Sequence, residues 1–135
     1  MIIAMLMCAA YGMAQGKPQF NPAKFKADLE KFITNEAGLS AGEAAAFFPI
    51  YHEMGEKQRV LYNKIRTTKF SKPSGEKEYK KAISDMDRYE LEIKQIQSNY
   101  HNKALKIISA EKLYNVIRAE EKFHRQAMRK AAHHR

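Results

Sequence analysis

Residues 76–107, EKEYKKAISDMDRYELEIKQIQSNYHNKALKI, decide the fold of this chain. Tyr79, Met86, Ile93, Tyr100 and Ile107 recur at heptad spacing, with Ala82 or Ile83, Tyr89 and Ile96 between them. That is a seam of a and d positions over about four heptads, the pattern of a helix lying along a partner helix. Glu76–Lys80 and Glu90–Lys94 add i,i+4 support on the outer face. A helix over 76–107 is roughly 48 Å long at about 1.5 Å per residue, more than a compact domain of this size needs. The spacing therefore predicts an elongated antiparallel helical hairpin rather than a globule.

The turn of that hairpin is set by Phe70-Ser71-Lys72-Pro73-Ser74-Gly75, the strongest breaker in the chain. Upstream of it, Ala44, Phe47, Phe48, Tyr51, Met54, Leu61, Tyr62 and Ile65 mark a long second helix. Pro49 lies well inside it and is expected to bend it, because proline removes one hydrogen bond and crowds the preceding turn. Ser40 and Glu43 have the Ser-x-x-Glu spacing of a capping box, with Leu39 as the apolar residue before the cap.

A first helix begins at Asn21-Pro22, where asparagine caps and proline is preorganised for the first helical position. Phe25, Leu29, Phe32 and Ile33 give it one apolar stripe, and Gly38 ends it. A last helix opens at Ser109, with Glu111 in its first turn and Leu113, Val116, Ile117, Glu120, Phe123, Ala127 and Ala131 on its inner side. No stretch alternates as a strand does. The fold class is all-α, four helices, in a single helical domain over 21–132, with an arm at 15–20 and a tail at 133–135.

Residues 1–10, MIIAMLMCAA, are apolar and uncharged, and small residues precede Gln15, so 1–14 reads as a signal peptide cleaved after Ala14. The run is shorter than the roughly 20 apolar residues of a membrane span, and no stable membrane insertion is expected. The single cysteine, Cys8, falls in that leader, which leaves an exported, periplasmic chain without thiols and stabilised by packing alone.

The net charge is +9, from 24 basic and 15 acidic residues. Both signs are mixed along the helices, with the basic excess greatest around Lys122, Arg125, Arg129 and Lys130. A basic face attracts nucleic acid, anionic lipid or acidic polypeptide, and export disfavours the first. Catalysis finds no foothold. The serines cluster at caps and in the turn, and neither a nucleophile elbow nor a phosphate loop is present. No cofactor motif is read. Glu121-x-x-His124 has the spacing of a carboxylate-bridged metal centre, which requires a second such pair, and neither His52 nor His101 supplies one. His133-His134 is a weak pair on a chain end, so no metal site is expected.

Phe47, Phe48, Tyr51, Tyr62, Tyr79, Tyr89 and Tyr100 exceed what one stripe of a slim hairpin buries. Phe47 and Phe48 point about 100° apart, so one of the two rings is expected near the surface. Phe48, Tyr51, Arg59, Arg66, Arg88 and Arg125 are the residues expected to form a basic, partly apolar binding face.

Leu39-Ser40-Ala41-Gly42-Glu43 and Ile108-Ser109-Ala110-Glu111-Lys112 form a near-repeat, an aliphatic residue and a capping serine opening a long helix. With the leader and the hairpin, it resembles the Spy/CpxP-type periplasmic chaperone and stress-sensor family, whose leucine-threonine-x-x-glutamine motif occurs twice. Serine stands for threonine in both copies, and Glu43 and Lys112 stand for glutamine, so the caps are kept and the amides are not. Phe47–Tyr51 and Ala119–Arg125 are similar to segments of small exported proteins of Bacteroidetes-like bacteria. The resemblance implies a thin, curved, cradle-shaped homodimer that holds unfolded or stressed clients without ATP. Its second implication is a stress sensor or adaptor, tuned by metal in one version, that docks to an envelope signalling receptor.

Overall fold

A computed structural model describes residues 19–133 and places them in four helices: α1 (Pro22–Ala37), α2 (Ala41–Phe70), α3 (Glu76–Ala104) and α4 (Ala110–His133). The all-α, four-helix fold expected from periodicity is the fold observed. The signal-peptide reading of 1–14 lies outside the described residues. So do 15–18 of the arm and 134–135 of the tail, while His133 is the last residue of α4.

The helix ends follow local chemistry. The Asn21 side chain accepts from the Lys24 amide at 3.2 Å, and Pro22 fills the first helical position of α1. Gly38, at φ +66°, takes the left-handed conformation that closes α1, and the Leu39 amide returns to the Thr34 carbonyl at 3.0 Å. The box at α2 is complete: Ser40 Oγ accepts from the Glu43 amide at 3.1 Å, and Glu43 Oε1 accepts from the Ser40 amide at 3.0 Å. Ser109 Oγ accepts from the Lys112 amide at 3.1 Å at the start of α4.

Two of the sequence expectations shift. α3 stops at Ala104 rather than running to Ile107. Residues 105–108 form a tight turn in which the Ile107 and Ile108 amides both bond the Ala104 carbonyl, and this tucks Ile108 into the core beside the Ser109 cap. The heptad seam is also shorter than the pattern. Ile93 and Tyr100 are buried and Met86 half-buried, whereas Tyr79 and Ile83 are more than half exposed. α2 runs unbroken through Pro49. Ala45, whose carbonyl loses its helical donor there, is exposed along with Pro49, so water can take that role.

The dominant pairings are α2 with α3 and α1 with α4. Both are antiparallel. Lys57 lies over the Tyr100 ring, the Gln58 amide donates to the Ile93 carbonyl at 3.4 Å, and Lys64 lies over Tyr89, so α3 descends as α2 ascends. In the other pair, Phe25 meets His124, Phe32 meets Phe123, and Glu36 bonds Lys122 at 3.2 Å. Glu30 of α1 bonds His52 of α2 across a half-buried interface.

The core has two parts. The larger draws on α1, the first half of α2, the α3–α4 junction and α4, with Ile33 and Val116 essentially without solvent contact. The smaller comes from α2 and α3 alone: Leu61, Ile65 and Ile93, flanked by Met86, Tyr89 and Ile96. The molecule is thus a four-helix base from which a two-helix hairpin continues. No helix among the described residues is long and apolar enough to cross a membrane.

Candidate functional site

The two copies of the capping motif come together at the base. Leu39 and Ile108 are both buried in the main core, and Ser40 and Ser109 each cap a helix. Lys112, at the third position of α4, reaches the equivalent residue of α2 and donates to Glu43 Oε1 at 2.6 Å. That oxygen already accepts the Ser40 amide, so one carboxylate closes its own cap and ties α4 to α2. Lys112 first, and then the Ser40 amide, hold the Glu43 carboxyl below its ordinary range. The Glu43–Lys112 ion pair therefore has a structural role here: it joins the third residues of α2 and α4 across the base.

The predicted binding residues are spread over three helices, α2, α3 and α4. Phe48 is a correction. Its ring is in the main core against Phe47, 5.3 Å between centroids, and both neighbours are buried rather than one facing solvent. The reason is that α1 and α4 cover α2 on two sides, so two stripes of the first half of α2 are shielded, not one. Tyr51 is half-buried beside Glu120 of α4, and burial, with that carboxylate second, pushes its hydroxyl well above the usual tyrosine range. Arg59, Arg66 and Arg88 are exposed along the hairpin, Arg66 bonded to Asn63 and Arg88 to Asp85. Arg125 is exposed on α4. Some of the surplus aromatics are capped by cations: Lys57 and Lys103 sit 5.2 and 4.5 Å from the Tyr100 ring centre, and Arg88 sits 5.2 Å from that of Tyr89.

The amphiphilic surface lies instead between α1 and α4. A groove of about 1030 Å³ is floored by Phe25, Phe32 and Phe123 and flanked by Phe20 and Met128, with Lys24, Lys31 and Lys130 on its rim. The rings make a connected set, Phe20 to Phe25 at 5.5 Å, Phe25 to Phe123 at 5.3 Å and Phe123 to Phe32 at 5.5 Å, tilted or edge-on as aromatic quadrupoles prefer. Phe20 and Met128 remain 71% and 74% exposed, and next to the phenylalanine floor they extend one apolar patch rather than standing as single exposed side chains. Space for the groove comes from Ala127 and Ala131, which follow Phe123 at helical spacing and carry too little side chain to fill it.

Sequence reasoning placed Phe25, Phe32 and Phe123 on inner stripes but missed the groove. The readable signal was large-to-small: Phe123, then Ala127 and Ala131, on the face opposite two phenylalanines. Two further depressions continue from it. His124 also borders a cleft of about 220 Å³ that reaches Tyr51, Met54, Tyr100 and Glu120. Lys94 joins that cleft to a shallow groove of about 560 Å³ along the hairpin, lined by Ile65, Met86 and Leu91. In the middle cleft the Tyr100 hydroxyl is buried without a hydrogen-bond partner, next to the Glu53–Lys57 ion pair. Among the described residues no three metal-binding side chains converge. Comparison of the chain with protein-family models, with curated proteins and with solved structures finds no match.

Proposed function

We propose that this chain is an exported, ATP-independent, chaperone-like protein that holds unfolded or partly folded clients on its α1/α4 groove. The observation that carries the reading is the pairing of a connected phenylalanine floor with a lysine rim on one exposed concavity. Burial of a large apolar side chain contributes about 1.5–3 kcal/mol. A groove that engages two or three such side chains at a time, after the cost of ordering them, binds reversibly and with modest affinity. That suits a holder rather than a specific receptor. A net charge of +9 speeds encounter with acidic clients and resists self-aggregation of the loaded protein.

The hairpin supplies a second element of the proposal. Its two-helix part carries a shallow groove lined by Ile65, Met86 and Leu91, with Leu91 73% exposed, which offers an apolar surface for a second copy and hence a homodimer. The test is light scattering of a reduced or heated client with the purified protein at near-stoichiometric ratio and no nucleotide. Suppression of scattering by wild type, and its loss in Met128→Asp, is the expected result. Unchanged scattering with wild-type protein refutes the function.

A further inference from the structure

The geometry points to a particular form of client at the α1/α4 groove: an acidic amphipathic segment bound as an α-helix of about three turns. This inference rests on the client-binding reading above and narrows it. The groove is bounded by two antiparallel helices, so its walls are straight and parallel. On α1 it is lined by Lys24, Asp28, Lys31 and Asn35, one stripe at i, i+4, i+7 and i+11 spacing. That stripe rises about 17 Å at about 1.5 Å per residue, the length of three helical turns. A third helix laid there would meet the phenylalanine floor with side chains at i, i+3, i+4 and i+7, the usual anchors of a helix in a groove. An extended segment of the same length would need to satisfy its backbone groups on walls that offer side chains only, since the backbone of both α1 and α4 is already bonded within each helix.

Charge selects the partner. Lys31 and Lys130 have no ion-pair partner among the described residues, while Lys24 is bonded to Asp28 at 3.4 Å. The rim therefore presents cations on both walls and a single carboxylate that is already neutralised. A second copy of this chain, itself at +9, is a poor occupant, and an acidic helix with an apolar face is complementary in both respects.

The probe is a fluorescein-labelled peptide of about 14 residues, with leucines at i, i+3, i+4 and i+7 and glutamates predominating elsewhere. Its comparators are a scrambled peptide of the same composition without helical periodicity, and the same leucine pattern with lysines for glutamates. Binding is followed by anisotropy on the full-length mature chain, and helix formation in the peptide by circular dichroism. The periodic acidic peptide is expected to bind at least about tenfold tighter than either comparator and to gain helix on binding. Lys31→Glu with Lys130→Glu, both exposed and outside the core, is expected to weaken it by about tenfold or more, with the thermal transition of the protein unchanged.

Equal binding of periodic and scrambled peptides overturns the helical form while aggregation suppression, if present and sensitive to Met128→Asp, leaves the client-binding reading in place. No binding of any peptide overturns the inference, and loss of suppression as well removes both. Capture of vesicles of anionic lipid, abolished by the same two lysine substitutions, without binding of the acidic peptide, also overturns it in favour of a lipid surface.

Discussion

Replacing Ile93 by alanine tests whether the base and the hairpin are two levels of stability within one chain. Ile93 is 5% exposed and belongs to a cluster with only two other buried members, Leu61 and Ile65. A buried aliphatic side chain contributes about 1.5–3 kcal/mol, so the cluster supplies about 5–9 kcal/mol before chain entropy is charged against it. Ile→Ala substitutions cost about 2–5 kcal/mol, and a two-helix ribbon open on both flanks can collapse into or hydrate the gap, which places this one near 2–3 kcal/mol. If the distal hairpin opens on its own, that loss appears as local opening, and amides of the second half of α2 and the first half of α3 exchange roughly 30- to 140-fold faster. The assay is native-state hydrogen exchange read by mass spectrometry, with Ile33→Ala in the main core as the comparator. Ile33 is wholly buried against residues of several helices, so its loss is expected to speed exchange in all four. An Ile93→Ala protein whose protection falls equally in α1, α4 and the hairpin would refute the division into two levels.

Two other outcomes follow from single polar groups. Tyr100→Phe removes a buried hydroxyl that lies near Glu53 and Lys57 but makes no hydrogen bond of normal geometry, so stability should be unchanged or raised by up to about 1 kcal/mol in thermal or denaturant unfolding, because an unsatisfied buried group is a cost. A loss above about 1 kcal/mol would show that the hydroxyl is used, with Glu53 and Lys57 the neighbours to hold responsible. The second concerns acid. Glu43 titrates below its unfolded value of about 4.5 because Lys112 and the Ser40 amide favour the carboxylate, so its contribution is present above that pH and is lost as pH falls through the depressed folded value. Lys112→Gln should flatten the acid limb of the stability–pH curve. Wild-type and variant curves of the same slope below pH 4.5 would show that the interlock adds nothing to stability.

Local chemistry made the ends of the elements legible before any tertiary contact was considered. Asn21-Pro22, Gly38, Ser40 with Glu43, and Ser109 act within three or four residues, so the chain alone specifies them. The heptad run fixed which face of α3 turns inward, and the breaker at 70–75 fixed where the hairpin reverses. Where α3 stops was not legible, because Leu105 and Lys106 are good helix formers. The end is imposed by burying Ile108 next to a cap, a benefit that exists only once α1 and α4 are in place.

The sequence by itself determined an all-helical chain, its four elements and the antiparallel hairpin, since periodicity and capping are properties of neighbours along the backbone. Only tertiary structure decided the rest. Phe48 was expected at the surface by counting one buried stripe per helix, yet three helices meet at its position and shield it. Arg59, Arg66, Arg88 and Arg125 share a charge but are spread over three helices, α2, α3 and α4. Lys112 found Glu43 across the whole hairpin, and the phenylalanines of α1 found the alanine-lined wall of α4. Which stripes are covered, and which face each other, depends on how helices distant in sequence pack, and no local rule carries that information.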